Sequence, residues 1–483
     1  MGKEDTSGSV SIDGRLPRCR DALAARGQKH VLKWWTDLDD DARSTLLDEI
    51  ESIPWSTIDP LLESHVRNHP AQEVPTPLEP ASARRVATHG QRPAEYESAE
   101  RLGRTLIREG KLAAFTVAGG QGTRLGVDGP KGTVEATPVK KKTLFQLFAE
   151  MILAARERDD VVIPWYIMTN TSNHRQTVRF FETHEYFGLP QTDVMFFSQE
   201  MLPSFSFSGK LLMSQRHRLA WSPDGHGGAL KSLNAGGALS DMRDRGIEII
   251  SYFQVDNPLV QPFDALFIGL HRQTNSEMST KVTAKTDDFE RVGNLCIHDG
   301  RTLVVEYSNF PRDLASARNP DDSRTFDLGN LGIHLLDVDF VSKIAGEDFR
   351  LPYHRAEKTV VALDNNGVPC MPSESNAVKL ETFVFDALPL ATNPLLLEVE
   401  RTSEFSPVKN AEGNDSLHSA TRDQIRRAAR WLEAAGLSVP RNTQGEPNIV
   451  LEIAPAFALC AEDVRKHADR LPELTPGTTV YIA

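Results

Sequence analysis

Short apolar runs alternate with amphipathic segments through the middle of this chain. Apolar runs lie at 112–118, 161–169 and 194–197, while segments with helical spacing begin at Thr143 and Ser172. The alternation predicts βαβ units, and hence an α/β, Rossmann-like fold with a mixed, mostly parallel sheet and helices on both faces. Ligands of such folds bind at the carboxyl ends of the strands. Four further strands are predicted at 247–255, 278–285, 303–307 and 328–335. A helix is predicted at 263–274, between the first two of them.

The segment before this core has a different pattern. Apolar residues recur at helical spacing between Cys19 and Ile53, and the acidic run beginning at Asp39 is typical of a helix N-terminus. Residues 68–95 are rich in proline and polar side chains, which indicates a linker. We therefore expect an N-terminal helical extension.

The pattern changes again near residue 396. Strands are predicted at 395–400 and 448–453 and a helix at 420–435, with more glycine and proline between them. These elements indicate a small C-terminal α+β domain. The predicted domains are a helical domain with its linker at 1–100, a central domain at 101–395 and the C-terminal domain at 396–483.

Composition excludes several classes of protein. The 483 residues carry a formal net charge of −13, whereas a nucleic-acid-binding surface must be basic. The four cysteines, at 19, 296, 370 and 460, lie too far apart for a CxxC metal site and are few for a disulfide scaffold. The sequence shows no apolar signal segment at its N-terminus and no apolar run of about 18 residues. We therefore expect a cytoplasmic protein with no nucleic-acid or membrane partner.

The run at 112–118 ends in a glycine-rich turn that carries two cations. The turn reads Ala118-Gly-Gly-Gln-Gly-Thr-Arg124, and Pro130-Lys131-Gly follows. Glycines at 119, 120 and 122 are expected to adopt positive φ and to let the backbone approach a ligand, while Arg124 and Lys131 neutralise phosphate. The turn is neither a P-loop, which needs Gly-Lys-Ser/Thr, nor a dinucleotide fingerprint, whose last glycine would fall on Leu125. The alternative is a plain turn between strand and helix.

Two further charged residues are candidates for chemistry. Asp256 ends the predicted strand at 247–255, where a carboxylate can hold Mg²⁺, with Mn²⁺ as the alternative metal. A turn cap is its other plausible role. Lys409 follows a rigid Ser-Pro step, and anion binding and a plain surface position fit it equally well.

Three weaker signals concern polar and aromatic side chains. His226 lies in a second glycine cluster, at 222–228, whose backbone could pass over a base or a sugar. The amide of Gln199 can pair with a nucleobase edge. Phe383 and Phe385 would share one face of an extended strand. The alternatives are a polar turn, a surface glutamine and burial in the core.

The order of these signals resembles that of the eukaryotic-type UDP-N-acetylglucosamine pyrophosphorylases, within the UTP-dependent sugar-1-phosphate uridylyltransferase family. The similarity spans most of the chain and implies a GT-A-like nucleotidyltransferase core. The motifs that carry it are Gln28-Lys-His-Val-Leu-Lys-Trp-Trp, Ala118-Gly-Gly-Gln-Gly-Thr-Arg-Leu-Gly with Pro130-Lys-Gly, Ile163-Pro-Trp-Tyr-Ile-Met-Thr, Gln199-Glu-Met-Leu-Pro, Gln254-Val-Asp-Asn, Val305-Glu-Tyr-Ser, Gly329-Asn-Leu-Gly-Ile-His, Leu380-Glu-Thr-Phe-Val-Phe-Asp and Phe405-Ser-Pro-Val-Lys-Asn.

The resemblance also implies roles for individual residues. Arg124 and Lys131 would grip the UTP phosphates, Lys409 would steady the sugar phosphate, and Asp256 would bind the metal. The residues implied at the nucleotide are Ala118, Gly119, Gly120, Gln199 and Gly225. The residues implied at the sugar are His226, Gly293, Glu306, Asn330, Phe383 and Phe385.

Two positions depart from the pattern of the acetylhexosamine enzymes. His226 stands where those enzymes carry asparagine, and its Gly-His-Gly setting is more like that of the related UDP-glucose pyrophosphorylases. At Asn330 the usual Asn-Ile-Ala-Asn-His reads Asn-Leu-Gly-Ile-His. The global pattern and the two phenylalanines favour N-acetylglucosamine over glucose or a broad range of sugars.

The activity implied is that of an enzyme that converts UTP and N-acetylglucosamine 1-phosphate to UDP-N-acetylglucosamine and pyrophosphate. The sugar phosphate would attack the α-phosphorus in line, with Asp256-bound Mg²⁺ bridging the two anions and without a covalent enzyme intermediate. A UDP-glucose or broad-specificity enzyme is the alternative. An NAD-dependent oxidoreductase and a non-catalytic nucleotide-sugar-binding protein are the rivals from other classes. We expect UTP and a sugar 1-phosphate as partners and a monomer or weak homo-oligomer.

Overall fold

The computed structural model of the protein describes residues 11–68, 74–86, 93–346 and 351–483. These residues form two compact units. The small unit comprises the described residues up to 68 together with Glu200–Gly228 and Leu351–Phe383, and the large unit comprises the remainder. The sequence predicted three contiguous domains, at 1–100, 101–395 and 396–483. That division remains a prediction beside the two units.

The helices of the described residues agree with the predicted ones in place and type. The helices predicted at 172–186, 263–274 and 420–435 form at His174–Thr183, Ala265–Gln273 and Leu417–Ala434. In chain order the helices are α1 (Ile12–Ala25), α2 (Asp40–Glu51), α3 (Trp55–Leu61), α4 (Ala94–Arg108), α5 (Leu144–Asp159), α6 (His174–Thr183), α7 (Gly228–Ala235), α8 (Ala238–Asp244), α9 (Ala265–Gln273), α10 (Arg312–Ala315), α11 (Val338–Ile344), α12 (Arg401–Glu404), α13 (Leu417–Ala434) and α14 (Ala461–Lys466). None of the described helices has the length and apolar character needed to cross a bilayer.

The strands include every one that the apolar runs predicted, and several short ones besides. In chain order they are β1 (Glu79–Pro80), β2 (Arg84–Arg85), β3 (Leu112–Val117), β4 (Trp165–Thr169), β5 (Val194–Ser198), β6 (Met201–Pro203), β7 (Met213–Gln215), β8 (Arg218–Leu219), β9 (Trp221–Pro223), β10 (Ile249–Gln254), β11 (Met278–Ala284), β12 (Asn294–His298), β13 (Arg301–Val305), β14 (Leu328–Asp337), β15 (His354–Lys358), β16 (Ala362–Leu363), β17 (Pro369–Cys370), β18 (Ala377–Glu381), β19 (Leu395–Glu398), β20 (Val450–Ile453) and β21 (Thr479–Ile482).

One mixed sheet organises the large unit. Its strand order is β2-β19-β11-β14-β10-β3-β4-β5. β10, β3, β4 and β5 pair in parallel, as do β11 with β19 and β19 with β2, whereas β14 runs antiparallel to both of its neighbours. The predicted mostly parallel sheet is confirmed. β3 is apolar almost throughout because a central parallel strand is covered on both faces.

The predicted linker takes part in this sheet. Of its described residues, β1 pairs with β12 and β2 pairs with β19. Residues 69–73 and 87–92 of that linker lie outside the described residues. The C-terminal elements also belong to the large unit, where β20 and β21 form a parallel pair beside α13.

Two glycines bring helices α4 and α9 of the large unit into backbone contact. A Cβ placed on Gly103 would lie 1.9 Å from the carbonyl oxygen of Ala265, and a Cβ on Gly269 would lie 1.7 Å from that of Ala99. Neither position has room for a side chain. The two helices therefore pack as closely as glycine alone permits.

An aromatic core fixes α5 and α6 on the sheet. The ring of Phe181 lies 5.0 Å from that of Phe145 and 5.4 Å from that of Trp165, both edge to face. Trp165 donates from Nε1 to Thr116 Oγ1 at 2.8 Å, so its buried polar atom is satisfied. Thr143 caps α5 by accepting from the Gln146 amide, and the Gln146 side chain donates from Nε2 to Glu150 Oε1 at 3.1 Å.

The small unit joins N-terminal helices to short antiparallel strand pairs. Asp39 caps α2 by accepting from the Ala42 amide, as the acidic run predicted. The buried Gln28 donates to Gly209 O and accepts from the Leu211 amide, at 2.8 Å and 2.9 Å. One side chain thereby ties the segment after α1 to the chain near residue 210.

Candidate active site

The glycine-rich turn after β3 is a tight hairpin. The Gly122 amide donates to Gly129 O at 2.8 Å, and the Lys131 amide donates to Gly120 O at 3.0 Å. The expected positive φ at Gly119, Gly120 and Gly122 is wrong: the hairpin residues with positive φ are Gly126, at 76°, and Gly129, at 154°. Space at Gly119 is tight, since a Cβ there would lie 3.1 Å from Gln199 Oε1, whereas a Cβ on Gly120 would come no closer than 3.7 Å to its neighbour.

Two asparagines after β4 hold the turn in place. Asn170 donates from Nδ2 to Gly119 O at 2.5 Å, and Asn173 donates from Nδ2 to Ala118 O at 2.9 Å. Asn173 Oδ1 in turn accepts from the Asn170 amide. Both side chains were missed in the sequence, where the available signal was a polar run directly after a buried strand. The turn is thus preorganised by a neighbouring strand end.

Gln199 lies at the carboxyl end of the next strand, β5. Its amide donates to Thr169 O at 2.8 Å, and its side chain is buried rather than on the surface. With its Oε1 close to Gly119, the predicted nucleotide residues Ala118, Gly119, Gly120 and Gln199 lie together at the carboxyl edge of the sheet. A contact of these residues with uracil or ribose stays a prediction.

Three cations from two separate parts of the sequence line one pocket at this edge. Arg124, Lys131 and Lys409 surround about 640 Å³ of empty space, together with Gly120 and neighbouring turn residues. The Lys409 ammonium lies 5.7 Å from the centre of the Phe405 ring. Because like charges repel, such a convergence favours a polyanionic ligand, and phosphate groups suit both the arginine fork and the lysine point charges.

Asp256 lies at the carboxyl end of β10, next to β3. The register pairs Gln254 with Val117, so the residues after the two strands are neighbours. Asp256 is buried, and its Oδ2 lies 3.4 Å from Lys131 Nζ. The Val408 amide donates to Asp256 O at 2.8 Å, which brings the Lys409 segment to the same place.

The donor set around Asp256 fits one kind of metal site. Among the described residues, no group of three or more His, Cys, Asp or Glu could hold an ion by itself. Mg²⁺ accepts one or two carboxylates and completes its shell with water and substrate phosphates. Asp256 therefore fits a Mg²⁺ that arrives with a phosphate ligand, and a resident all-protein metal site is not formed by the described part of the chain.

Residues 65–475 match the family described as UTP–glucose-1-phosphate uridylyltransferase. The chain belongs to this uridylyltransferase family. It is 34% identical over 91% of its length to a Xenopus tropicalis protein named UDP-N-acetylhexosamine pyrophosphorylase-like protein 1, covering 92% of that protein. It is also 34% identical over 80% of its length to the UDP-N-acetylglucosamine pyrophosphorylase of Saccharomyces cerevisiae, covering 82% of it. The resemblance inferred from the motifs is confirmed.

Solved structures agree with this assignment. The putative UDP-N-acetylglucosamine pyrophosphorylase of Entamoeba histolytica superposes with a TM-score of 0.71 at 32% identity, over 80% of this chain and 95% of the other. The UDP-N-acetylglucosamine pyrophosphorylase of Trypanosoma brucei gives a TM-score of 0.82 at 25% identity, over 99% of both chains. The nucleotidyltransferase fold of the uridylyltransferase is therefore shown.

A second group of predicted residues lies together elsewhere in the large unit of the uridylyltransferase. A Cβ on Gly293 would lie 3.3 Å from Glu306 Oε1 and 3.8 Å from the Cβ of Asn330. The Asn330 amide donates to Gly293 O, and its Oδ1 accepts from the Gly332 amide at 2.9 Å. The β12–β13 hairpin positions Glu306 at its end. Three of the residues implied at the sugar are thus brought together, although sugar binding there stays a prediction.

A third group lies in the small unit of the uridylyltransferase. The Phe383 ring lies 5.2 Å from the His226 ring and stacks on His354 at 4.5 Å. Gly225, at φ 85°, has no space for a Cβ, which would lie 2.3 Å from Thr382 O. His354 was missed because a histidine at the start of a short strand carries no sequence signal.

The prediction that Phe383 and Phe385 share one strand face is wrong. β18 ends at Glu381, and Val384–Leu390 forms a helical segment in which Phe385 is buried. The strand ends because the Thr382 amide donates to Asp224 O, within the small unit, instead of continuing the pairing with β15. A role for Phe385 at the sugar stays a prediction.

Proposed function

We propose that this uridylyltransferase makes UDP-N-acetylglucosamine and pyrophosphate from UTP and N-acetylglucosamine 1-phosphate. The convergence of Arg124, Lys131 and Lys409 on one pocket beside the glycine-rich turn carries the proposal. The two substrates carry four phosphate groups between them, and such a concentration of positive charge neutralises them. Relatives that share a third of the sequence and bear the names UDP-N-acetylhexosamine and UDP-N-acetylglucosamine pyrophosphorylase support the choice of sugar.

The proposed reaction exchanges one phosphoanhydride bond for another. A phosphate oxygen of the sugar 1-phosphate attacks the α-phosphorus of UTP, and the bond from that phosphorus to the β-phosphate oxygen breaks. Since the attacking oxygen is anionic at neutral pH, no general base is required. The enzyme's work is therefore to position two anions and to neutralise charge.

The chain's own cations share that work. In the proposal Lys409 binds the sugar phosphate and holds it near the nucleotide. We assign it this role because, unlike Arg124 and Lys131, it does not belong to the glycine-rich hairpin. Arg124 and Lys131 lie on the hairpin itself and stabilise the departing pyrophosphate. Asn170 and Asn173 keep the hairpin rigid, so that little reorganisation is needed during transfer.

Asp256 is the residue that would hold Mg²⁺, with Mn²⁺ as the alternative. A divalent cation bound there supplies charge neutralisation of phosphate oxygens. Lys131 Nζ lies 3.4 Å from Asp256 Oδ2, so a metal held by Asp256 would lie next to a cation that is proposed to bind phosphate.

Glucose 1-phosphate is the second candidate substrate, and His226 is the observation that favours it. The residue lies in a Gly-His-Gly turn beside Phe383, where the resemblance implies asparagine in acetylhexosamine enzymes. An imidazole and an amide present different donors to a sugar hydroxyl. We rank N-acetylglucosamine first because the named relatives match over most of the chain.

We also propose that the enzyme works in the cytoplasm as a monomer or weak homo-oligomer. Four cysteines without disulfide partners suit a reducing compartment. Size-exclusion chromatography with light scattering across a range of protein concentrations tests the assembly state. A stable dimer at nanomolar concentration would contradict it.

A direct assay tests the proposed function. Pyrophosphate release from UTP is measured with N-acetylglucosamine, N-acetylgalactosamine and glucose 1-phosphates in parallel, with Mg²⁺, with Mn²⁺ and with chelator. We expect metal-dependent release that is fastest with N-acetylglucosamine 1-phosphate. Faster release with glucose 1-phosphate would favour the second candidate, and no release with any sugar would refute the enzymatic proposal.

A further inference from the structure

The side chain of one asparagine links the segment that carries Lys409 to the end of β10. Asn257, which directly follows the candidate metal ligand Asp256, donates from Nδ2 to Glu404 O at 2.7 Å. Its Oδ1 accepts from the Ser406 amide at 3.1 Å. One side chain thus contacts the backbone of the segment 404–409 at two points, and Asn257 is only 4% exposed.

A backbone hydrogen bond completes the attachment. The Val408 amide, one residue before Lys409, donates to Asp256 O at 2.8 Å. The Asn257 Oδ1 also accepts from the Leu259 amide at 3.2 Å, which fixes the orientation of the side chain. Three hydrogen bonds to residues 404, 406 and 408 therefore line the segment up along the two residues after β10.

A buried ion cluster anchors the beginning of the same segment. The ammonium of Lys281, on β11, lies 2.6 Å from Glu404 Oε2 and 2.6 Å from Asp264 Oδ2. Burial disfavours a charged lysine, but the two carboxylates outweigh it and hold the pKa of Lys281 above its usual value. Glu404 is thereby fixed at its side chain by Lys281 and at its carbonyl by Asn257.

We propose that Asn257 is a positioning residue for the transfer reaction, which sets the place of the Lys409 ammonium relative to Asp256. The proposal rests on the proposed function and adds to it. Asn257 is not among the residues that line the pocket of Arg124, Lys131 and Lys409. It acts through the segment that it holds, because a displacement of about 1 Å in a positioning group costs a large share of the rate.

This arrangement predicts a specific pattern of kinetic coupling. If Asn257 acts through Lys409, its amide matters only while the lysine is present. Residues that act as one unit show non-additive effects, so the double variant reveals the coupling that single variants cannot. UTP affinity should change little, because the hairpin is held by Asn170 and Asn173.

The experiment uses Asn257→Ala, Asn257→Asp, Lys409→Ala and the double variant with Asn257→Ala. Asn257→Asp keeps the acceptor for the Ser406 amide, loses the donor to Glu404 O and adds a carboxylate at a buried position. Asn376→Ala is the matched control, since Asn376 also donates to and accepts from backbone, at Val360, in the small unit. Two readouts are taken: hydrogen exchange of the peptide over 404–409, and kcat with KM for each substrate.

We expect faster exchange over 404–409 in both Asn257 variants and no change there in Asn376→Ala. Asn257→Ala should lower kcat at least tenfold and change the dissociation constant of UTP less than threefold. In the Lys409→Ala background, the same Asn257→Ala change should lower kcat less than threefold. Unchanged exchange, or an equal loss of kcat in both backgrounds, would overturn the proposal. A wild-type protein that releases no pyrophosphate would refute the proposed function instead, and the exchange data would still decide whether Asn257 holds the segment.

Discussion

Lys131 Nζ lies 3.4 Å from Asp256 Oδ2, although the hairpin and the end of β10 are far apart in the sequence. Their side chains are 17% and 11% exposed, so the two charges face each other with little water between them. The parallel register of β3 and β10 creates this pair, because it aligns the ends of the two strands. The proposed phosphate-binding lysine and the proposed metal ligand thereby form a neutral pair.

Removing the lysine should therefore slow transfer strongly. Lys131→Met deletes a charge-assisted contact that matters most while pyrophosphate departs. We expect a cost on the order of 3 kcal/mol, or about 10²-fold in kcat. Lys111→Met is the control, since Lys111 pairs with Glu248 at 2.9 Å away from the pocket lining. A Lys131→Met enzyme within threefold of wild type in pyrophosphate release would contradict the assigned role.

The sugar preference should respond to His226. His226→Asn replaces an imidazole beside Phe383 with an amide that has one acceptor and a two-hydrogen donor. One gained hydrogen bond is worth about 1 kcal/mol, so kcat/KM for N-acetylglucosamine 1-phosphate over glucose 1-phosphate should rise about five- to tenfold. The half-buried His217, between β7 and β8, provides the control variant His217→Asn. An unchanged ratio in His226→Asn would remove this residue from the sugar site.

The crossing of α4 and α9 predicts an unusual effect of alanine. In an open helix a glycine-to-alanine change gains about 1 kcal/mol. Gly103→Ala should instead cost about 3 kcal/mol, because its Cβ would overlap the Ala265 carbonyl. Gly346→Ala is the control, with 3.8 Å to the nearest atom. Urea unfolding of the large unit measures both, and a neutral Gly103→Ala would show that the helices can move apart.

Mild acid should destabilise the large unit through His271. Burial lowers the pKa of His271 from 6.5 to about 3, and its Nδ1 lies 2.7 Å from Ser279 Oγ. In the unfolded chain His271 is protonated below about pH 6.5, whereas in the folded chain it is protonated only below about pH 3. Stability is therefore complete above pH 6.5 and falls as the pH decreases, by about 1.4 kcal/mol at pH 5.5.

A variant without this imidazole isolates the effect. His271→Gln should lose about 1.4 kcal/mol less than wild type between pH 7 and pH 5.5, measured as the difference between urea unfolding free energies at the two pH values. His418→Gln, at an exposed position of α13, should behave like wild type. Equal pH dependence in wild type and His271→Gln would show that His271 becomes protonated without unfolding.

Much of the large unit could be predicted from the sequence. β3, β4 and β10 are buried along nearly their whole length, and such strands are recognisable as apolar runs. The catalytic candidates on these strand ends followed from a general rule about where open sheets bind ligands. Lys409 became a candidate only through the order of the motifs, because its neighbouring residues fit anion binding and a plain surface position equally well.

The remaining features depend on contacts between distant residues. Asn170 and Asn173 reach the carbonyls of the hairpin only because β4 lies beside β3. β18 ends where the Thr382 amide donates to Asp224 O, and the sequence near Thr382 gives no sign of this distant partner. The alternation that placed Phe383 and Phe385 on one face assumed a strand that continues, and a single tertiary hydrogen bond was enough to make that assumption wrong.

The attachment of residues 404–409 to Asn257 has a consequence for synthesis of the chain. A nascent polypeptide can align β3 with β10, and so present Arg124 and Lys131, before Lys409 has left the ribosome. During that interval the Nδ2 of Asn257 lacks its acceptor, Glu404 O. The pocket lined by Arg124, Lys131 and Lys409 is therefore completed only once residues 404–409 have been synthesised.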